Sequence, residues 1–179
     1  MRHLMLALLA LLAFLALAPM ARAQTSGAEP PMTLDRMGAI LTALDPETAR
    51  EGGLFRLTID GFTLMVVTDV PSDRMRAMIS VSAAEAVDPD EMRRLMQANF
   101  DSALDARYAL ANGRLWSVFI HPFAALEKDQ LISGIAQTVN VAKTYGTLYS
   151  GGALQFGGGD SNDLQSELIE RLLKKGVDI

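Results

Sequence analysis

The chain of 179 residues contains no cysteine. This absence excludes disulfide bonds, a thiol nucleophile, cysteine-ligated metal sites and the lipidated cysteine of a lipoprotein. Stability must therefore come from the burial of apolar side chains, and hydrophobic residues make up 50% of the sequence. That share is large enough for one domain with a hydrophobic core.

Histidine, aromatic residues and positive charge are also scarce. The chain has two histidines, 6% aromatic residues and a formal net charge of −5 at pH 7. His121 is the only histidine after residue 23, and a lone histidine cannot build a zinc site of three or four ligands. The negative charge argues against nucleic acid and against charge-driven binding to an anionic membrane. We therefore expect no metal and no nucleic-acid partner.

Long apolar runs are confined to the N-terminus. Arg2 precedes an apolar run at residues 4–17, and residues 21–23 read Ala-Arg-Ala. A basic head, an apolar segment too short to span a bilayer and an Ala-x-Ala end are typical of a secretory signal peptide at residues 1–23. We predict cleavage after Ala23 and a periplasmic protein. Because no later run approaches about 18 apolar residues, we expect no stable membrane insertion after cleavage.

The following residues alternate between helical and strand periodicities. Residues 24–32 are mostly small and polar and predict a flexible lead, and Thr33 is placed to cap a first helix. The apolar period then changes to two, and Asp60-Gly61 predicts a tight type I′ hairpin between two strands. A third strand is expected near residues 76–82.

The second half of the chain predicts two helices, a second hairpin and a separate C-terminal helix. Residues 88–91 read Asp-Pro-Asp-Glu, which is typical of a helix start. The apolar stripe of this helix consists of Met92, Leu95, Met96 and Phe100. Asn-Gly at residues 112–113 predicts the turn between strands four and five. A third helix is expected over about residues 127–145. Residues 147–162 are rich in glycine and predict a linker, and residues 163–176 carry the apolar stripe of an amphipathic helix.

The order of these elements is helix, three strands, helix, two strands, helix. It predicts an α+β domain at residues 33–146, in which helices cover one face of a five-stranded antiparallel sheet. The hairpin at 54–67, the helix start at 88–91 and the strand at 115–121, followed by a helix near Glu127, resemble the type III secretion chaperone-like fold of the Tir-chaperone and YbjN-like groups. The resemblance implies a scaffold that dimerises and binds polypeptide in extended form, without a cofactor or a reaction. Secretion chaperones act in the cytoplasm, so the predicted export signal means that their effector-chaperone function does not transfer.

Motifs that would point to catalysis are missing. No Gly-x-Ser-x-Gly elbow occurs, and helix capping explains the carboxylates at residues 88–91. The glycines at residues 157–159 followed by Asp160 resemble half of a calcium-binding repeat, but such sites need stacked repeats. A linker ending in a helix cap at Asp163 explains this stretch. We assign no catalytic, metal or cofactor-binding residue and predict a non-enzymatic protein.

Two sets of apolar residues are candidates for binding protein. Alternation places Met65 and Met78 opposite the apolar faces of their strands, and Trp116 lies either in the core or on an exposed patch. Methionine also fills irregular cores, so core filling stays open as an alternative. The second set is the stripe of the C-terminal helix: Leu164, Leu168 and Leu172. This stripe docks either on its own domain or on a partner.

These observations favour a periplasmic protein-binding module, chaperone-like or an adaptor. Its partner is expected to be a protein, a peptide or a second copy of the chain. Both faces of the hairpin strands carry apolar residues, whereas helices in this order cover one side of the sheet, so the other side needs a partner. The alternative is a small envelope enzyme or ligand-binding protein with a pocket between sheet and helices.

Overall fold

The described part of the chain is a six-stranded sheet with helices on one face. The structure is a computed structural model that describes residues 29–101, 103–146 and 161–176, with only the backbone of residues 101 and 161–165. The strands are β1 (Ala49–Glu51), β2 (Leu54–Ile59), β3 (Phe62–Asp69), β4 (Arg74–Ala83), β5 (Arg107–Ala111) and β6 (Arg114–His121). The helices are α1 (Leu34–Leu44), α2 (Pro89–Asp101), α3 (Lys128–Lys143) and α4 (Ser161–Lys175). The predicted signal peptide lies outside the described residues, as does nearly all of the predicted linker.

The strands lie in the order β1-β2-β3-β4-β6-β5, and each is antiparallel to its neighbours. The predicted α+β class is confirmed, with one strand more than the five expected. All three residues of β1 are exposed, and the strand is held to β2 by backbone pairing alone. Because its residues show no alternation of apolar and polar types, the sequence did not predict it. After β4 the chain passes through α2 to the edge strand β5 and then turns back into β6.

The predicted turns and the first helix cap are confirmed. Asp60 and Gly61 adopt positive φ angles of 50° and 82°, as a type I′ turn requires. Asn112 and Gly113 do the same, at 53° and 70°. The hydroxyl of Thr33 accepts a hydrogen bond of 3.1 Å from a backbone N–H in the first turn of α1.

Helix α2 begins as predicted but buries a narrower face than predicted. The carboxylate of Asp88 accepts a hydrogen bond of 2.7 Å from the backbone N–H of Glu91. This bond lowers the pKa of Asp88 below its usual value, because it favours the charged carboxylate. Leu95 is buried, whereas Met96 and Phe100 of the predicted apolar stripe are exposed. The helix packs beside the edge strand β5 rather than across the sheet, so only one side of it reaches the core.

Helix α3 lies directly on one face of the sheet, termed the inner face. This face carries the buried strand residues Phe55, Leu57, Ile59, Leu64, Val66, Met75, Ala77, Ile79, Tyr108, Leu115, Ser117 and Phe119. A Cβ atom at Gly134 of α3 would lie 2.5 Å from the ring of Phe119, so the ring occupies the space that the missing side chain leaves. The hydroxyl of Ser117 donates to the carbonyl oxygen of Thr138 at 2.7 Å. These contacts fix α3 against β6.

The C-terminal helix α4 packs on α3 and also contacts α1. Leu168 and Leu172 are buried in this packing. The guanidinium of Arg171 pairs with the carboxylate of Asp60 at the tip of the first hairpin. Of the two docking alternatives for the stripe, the structure therefore shows docking on its own domain, and the side chain of Leu164 lies outside the described residues. None of the described helices is long and apolar enough to cross a membrane.

Replacing Leu172 with alanine tests whether α4 belongs to the folded core. Because Leu172 is buried, Leu172→Ala should lower the free energy of unfolding by about 2–5 kcal/mol, the usual cost of emptying a buried leucine site. Urea denaturation followed by circular dichroism measures the change. Glu170→Ala, at an exposed position of the same helix, should shift the free energy by less than about 0.5 kcal/mol. Equal stability of the two variants would contradict the docking of α4 on its own domain.

Candidate protein-binding surface

The register of the sheet brings two predicted binding residues together on the face opposite the helices, termed the outer face. Met65 pairs with Met78, and Met78 pairs with Val118, across β3, β4 and β6. Directly paired residues of antiparallel strands point to the same side, so these three side chains form one row. The row continues to Arg56 on β2 and to Arg107 on β5.

Apolar side chains extend this row on both sides. Val67 pairs with Arg76, which pairs with Ile120, and Val67 and Ile120 are 40% and 52% exposed. Trp116 lies on the outer face, not in the core, and its indole N–H donates to the carbonyl oxygen of Ala111 at 2.9 Å. We term six of the apolar residues on this surface the apolar centre: Met65, Val67, Met78, Trp116, Val118 and Ile120.

Core filling does not account for the two outer methionines. Met37 on α1 and Met75 on β4 are fully buried and fill the core on the inner face. Met65 and Met78 are half-buried, because their neighbours are other strand residues and no described helix packs over them. Core filling thus accounts for Met37 and Met75 but not for Met65 and Met78.

Five arginines accompany the apolar centre on the outer face: Arg56, Arg74, Arg76, Arg107 and Arg114. The carboxylates at outer-face positions of the six described strands are Glu51 and Asp69. Glu51 lies 3.7 Å from the guanidinium of Arg56 in an exposed ion pair, which contributes little to stability. Since the whole chain has a net charge of −5, this face is locally opposite in sign to the chain.

The arginines differ in whether their guanidinium groups already donate hydrogen bonds to, or form ion pairs with, other groups of the chain. The guanidinium of Arg107 donates to the carbonyl oxygens of Leu104 and Ala106. Arg114 donates to the hydroxyl of Ser80 on the neighbouring strand. Among the described residues, Arg74 and Arg76 form no ion pair. Their positive charge is therefore available to a partner.

The edge of the sheet at β5 is occupied by a side chain. The amide group of Asn99 on α2 donates to the carbonyl oxygen of Tyr108 at 3.0 Å and accepts from its backbone N–H at 2.7 Å. One side-chain amide thus satisfies both outward-facing backbone groups of an edge residue, as a further strand would. Strand addition is blocked at this point of the edge.

A second exposed apolar surface lies at the end of α2. Met96, Phe100 and Leu104 are 48%, 64% and 49% exposed. Met96 and Phe100 are four residues apart and so lie on the same side of the helix. Helical spacing places both residues in one apolar series with Leu95, but spacing alone does not tell how much of a helix its neighbours cover.

A cleft of about 500 Å³ is lined by residues of β6, α3 and α4. Its polar lining residues are Asp105, His121, Asp129, Gln130, Ser133 and Gln137. These positions are scattered through the sequence, which is why the sequence showed no convergent polar site. In the described parts of the chain, no group of three histidine, aspartate or glutamate residues is arranged to hold a metal ion.

The most buried polar group of the cleft already has partners. The side-chain carbonyl oxygen of Gln137 accepts from the backbone N–H groups of Asp105 at 2.8 Å and Ala106 at 3.2 Å. Its amide nitrogen donates to the hydroxyl of Ser133 at 3.2 Å. Nδ1 of His121 donates to the carbonyl oxygen of Pro122 at 2.8 Å. The hydrogen bonds of Gln137 therefore hold the loop before β5 against α3.

Comparison with known proteins identifies the fold. No family model and no curated protein matches the chain. A chain in the crystal structure of the ExsC–ExsE complex is 13% identical, with a TM-score of 0.51 over 66% of this chain and 96% of that chain. A chain of the HopA1–SchA chaperone–effector complex is 12% identical, with a TM-score of 0.47 over 61% of this chain and 91% of that chain. A chain in the structure of the Yersinia pestis type III secretion chaperone SycH with a stable fragment of YscM2 is 16% identical, with a TM-score of 0.46 over 60% of this chain and 97% of that chain. This chain has the type III secretion chaperone-like fold that its sequence pattern predicted.

Proposed function

We propose that this chain is a non-enzymatic protein-binding module, chaperone-like or an adaptor, that binds a polypeptide partner on its outer face. The observation that carries the proposal is the apolar centre, which helices on the inner face leave open. An apolar patch with a polar rim is typical of protein interaction sites. Trp, Met and Arg, which are prominent on this face, are enriched in such interfaces.

The similar structure points in the same direction. By its name, the ExsC–ExsE structure contains two different proteins bound to each other. At 13% identity the likeness concerns the scaffold, so it supports protein binding as a use of this fold and says nothing of the partner of this chain.

A homodimer is a narrower form of the proposal. Two copies docked through their outer faces would bring the arginines of both copies together, and like charges at short range repel. If the chain forms a dimer, its interface is therefore better placed at the exposed apolar surface of Met96, Phe100 and Leu104. The outer face then remains available to a different protein.

The polar cleft is the observation that favours the alternative, a ligand-binding protein or small enzyme. The side-chain carbonyl oxygen and amide nitrogen of its central residue, Gln137, already form hydrogen bonds with other groups of the protein. A buried polar group that binds a ligand has hydrogen-bonding capacity that the protein leaves unused. The polar groups of Gln137 instead bond a loop to a helix. We therefore rank small-molecule binding below protein binding.

Site-specific crosslinking tests the proposed surface. A photo-crosslinking amino acid at Val67 or at Ile120, both exposed on the outer face, should capture one and the same protein in cells. The same group at Ala39, exposed on α1, should not capture it. Adding Met78→Gln, which keeps the side-chain length but makes the apolar centre polar, should reduce the captured amount about tenfold, as expected for a central interface residue. Immunoblotting and mass spectrometry measure the products.

Circular dichroism of each variant shows whether the fold is intact. Equal capture from Val67, Ile120 and Ala39 would contradict the proposal, as would capture that does not respond to Met78→Gln. A small molecule that co-purifies with the chain and is lost on Gln130→Ala, at the cleft, would instead favour the alternative function.

We further propose that the module acts in the periplasm after removal of residues 1–23. The support is the sequence pattern of a basic head, an apolar run and an Ala-Arg-Ala end. Intact mass measurement of the protein from the periplasmic fraction should give a chain that begins at Gln24. Replacing Ala23 with a bulky residue, as in Ala23→Leu, should block this processing. A full-length chain found in the cytoplasmic fraction would contradict the proposed location.

A further inference from the structure

We infer that the partner presents an acidic amphipathic α-helix, which lies across the strands of the outer face with its apolar stripe on the apolar centre. The inference rests on the proposed function and adds the conformation and charge of the bound segment. It departs from the extended polypeptide that the family resemblance implies.

The hydrogen-bonding state of the sheet decides between a helix and an extended segment. Strands β3, β4 and β6 are each flanked by strands on both sides, so their backbone groups are engaged within the sheet. An extended segment lying on this face would find no backbone partners and would bury its own N–H and C=O groups unpaired, at about 1–3 kcal/mol each. A helix satisfies these groups internally. Its side chains alone then make the contact.

The edges offer no better place for an extended segment. At β5, Asn99 already bonds the outward backbone groups of Tyr108. At the opposite edge, β1 has only three residues, Ala49–Glu51, and beyond it the backbone N–H of Thr58 on β2 already donates to the carboxylate of Asp45 at 2.8 Å. A strand added there would gain few hydrogen bonds and would lie at the margin of the outer face, beside Glu51 rather than on the apolar centre.

The dimensions of the central row suit a short helix. This row crosses five strands and consists of Arg56, Met65, Met78, Val118 and Arg107. At about 4.8 Å between strands it spans about 19 Å. A helix that rises 1.5 Å per residue covers this length with about 13 residues. Such a helix has three to four turns, and about two of them lie over β3, β4 and β6, the strands that carry the apolar centre.

The arginines of the outer face determine which charge the bound helix should carry. Arg56 and Arg107 stand at the two ends of the row, and Arg76 lies in the next row beside Val67 and Ile120. Carboxylates that flank an apolar stripe would meet guanidinium groups at both ends of the row and beside it, and arginine binds carboxylates in a geometry of two parallel hydrogen bonds. Lysines at the same positions would meet like charge. Rim charges of this kind act mainly on partner choice and association rate.

The chain itself does not supply this occupant from its described helices. Helix α4 carries Glu167 and Glu170, but its apolar residues Leu168 and Leu172 are buried against its own domain. Helix α2 does expose Met96 and Phe100, but it also carries two exposed arginines, which would bring like charge to the arginines of the outer face of another copy. The helix that the outer face fits belongs to a different protein.

Three synthetic peptides of about 18 residues serve as probes. The first peptide has leucines at helical spacing flanked by glutamates. The second has lysine in place of every glutamate. The third has the same composition as the first, but its leucines and glutamates alternate, as in a strand. Isothermal titration calorimetry with the protein starting at Gln24 should show the glutamate peptide binding at least about tenfold more tightly than the other two. The difference should shrink between about 50 and about 300 mM NaCl, because salt screens rim charges.

Charge reversal on the protein provides the decisive comparison. Arg56→Glu and Arg76→Glu should each weaken the glutamate peptide about tenfold and strengthen the lysine peptide. Arg93→Glu changes the net charge equally but lies on an exposed part of α2 and should leave both affinities unchanged. The opposite response of the two peptides separates a charge contact from partial unfolding, which would weaken both.

Several results would overturn the inference. These are equal affinity for the glutamate and lysine peptides, tighter binding of the alternating peptide, or no binding of any peptide. Binding to phosphatidylglycerol vesicles that is lost in Arg76→Glu, without peptide binding, would show that the face meets a membrane instead. If Met78→Gln abolishes crosslinking in cells while charge reversal has no effect on peptides, only this inference fails. If Met78→Gln changes nothing either, the proposed function fails with it.

Discussion

The close contact of α3 with the inner face of the sheet is the constraint on which the rest of the structure depends. The ring of Phe119 fills the space beside Gly134, and Ser117 bonds the backbone of the same helix. Because α1 also packs on this side and α4 packs on α3, the apolar strand residues of the inner face are buried by one group of helices. The sheet is left with one sealed and one open face. The open face carries the apolar centre, and the proposed function rests on the chemistry of that face.

Charge is divided in the same way as burial. The whole chain is acidic, with many of its carboxylates on helices and loops, whereas the outer positions of the strands carry five arginines and two carboxylates. An acidic exterior keeps copies of the chain apart through repulsion at long range, while a local cationic face attracts an acidic segment at short range. The net charge of the chain is negative, whereas the strand residues of the outer face carry more positive than negative groups. The inference of an acidic partner rests on the distribution of charge over the two faces.

Local chemistry allowed much of the fold to be predicted from the sequence, and long-range packing accounts for what was missed. Asp60-Gly61, the Asn-Gly turn and the cap at Thr33 depend on a few adjacent residues, and each was predicted correctly. Strand β1 was missed because three exposed residues carry no period. The exposure of Phe100 and the gathering of arginines depend on which strands and helices become neighbours, and no local pattern contains that information. Met65 and Met78 were predicted from alternation, which fixes a face, but their pairing required the register.

Oxidation of individual methionines in the intact chain tests most directly whether the outer face is open. Limited hydrogen peroxide treatment followed by peptide mass spectrometry gives a rate for each methionine, and exposed Met96 sets the upper reference. The account predicts that Met65 and Met78 oxidise faster than the fully buried Met37 and Met75 and more slowly than Met96. If Met65 and Met78 are protected as strongly as Met75 in the monomeric chain, the outer face is covered by the protein itself, and the central claim is wrong.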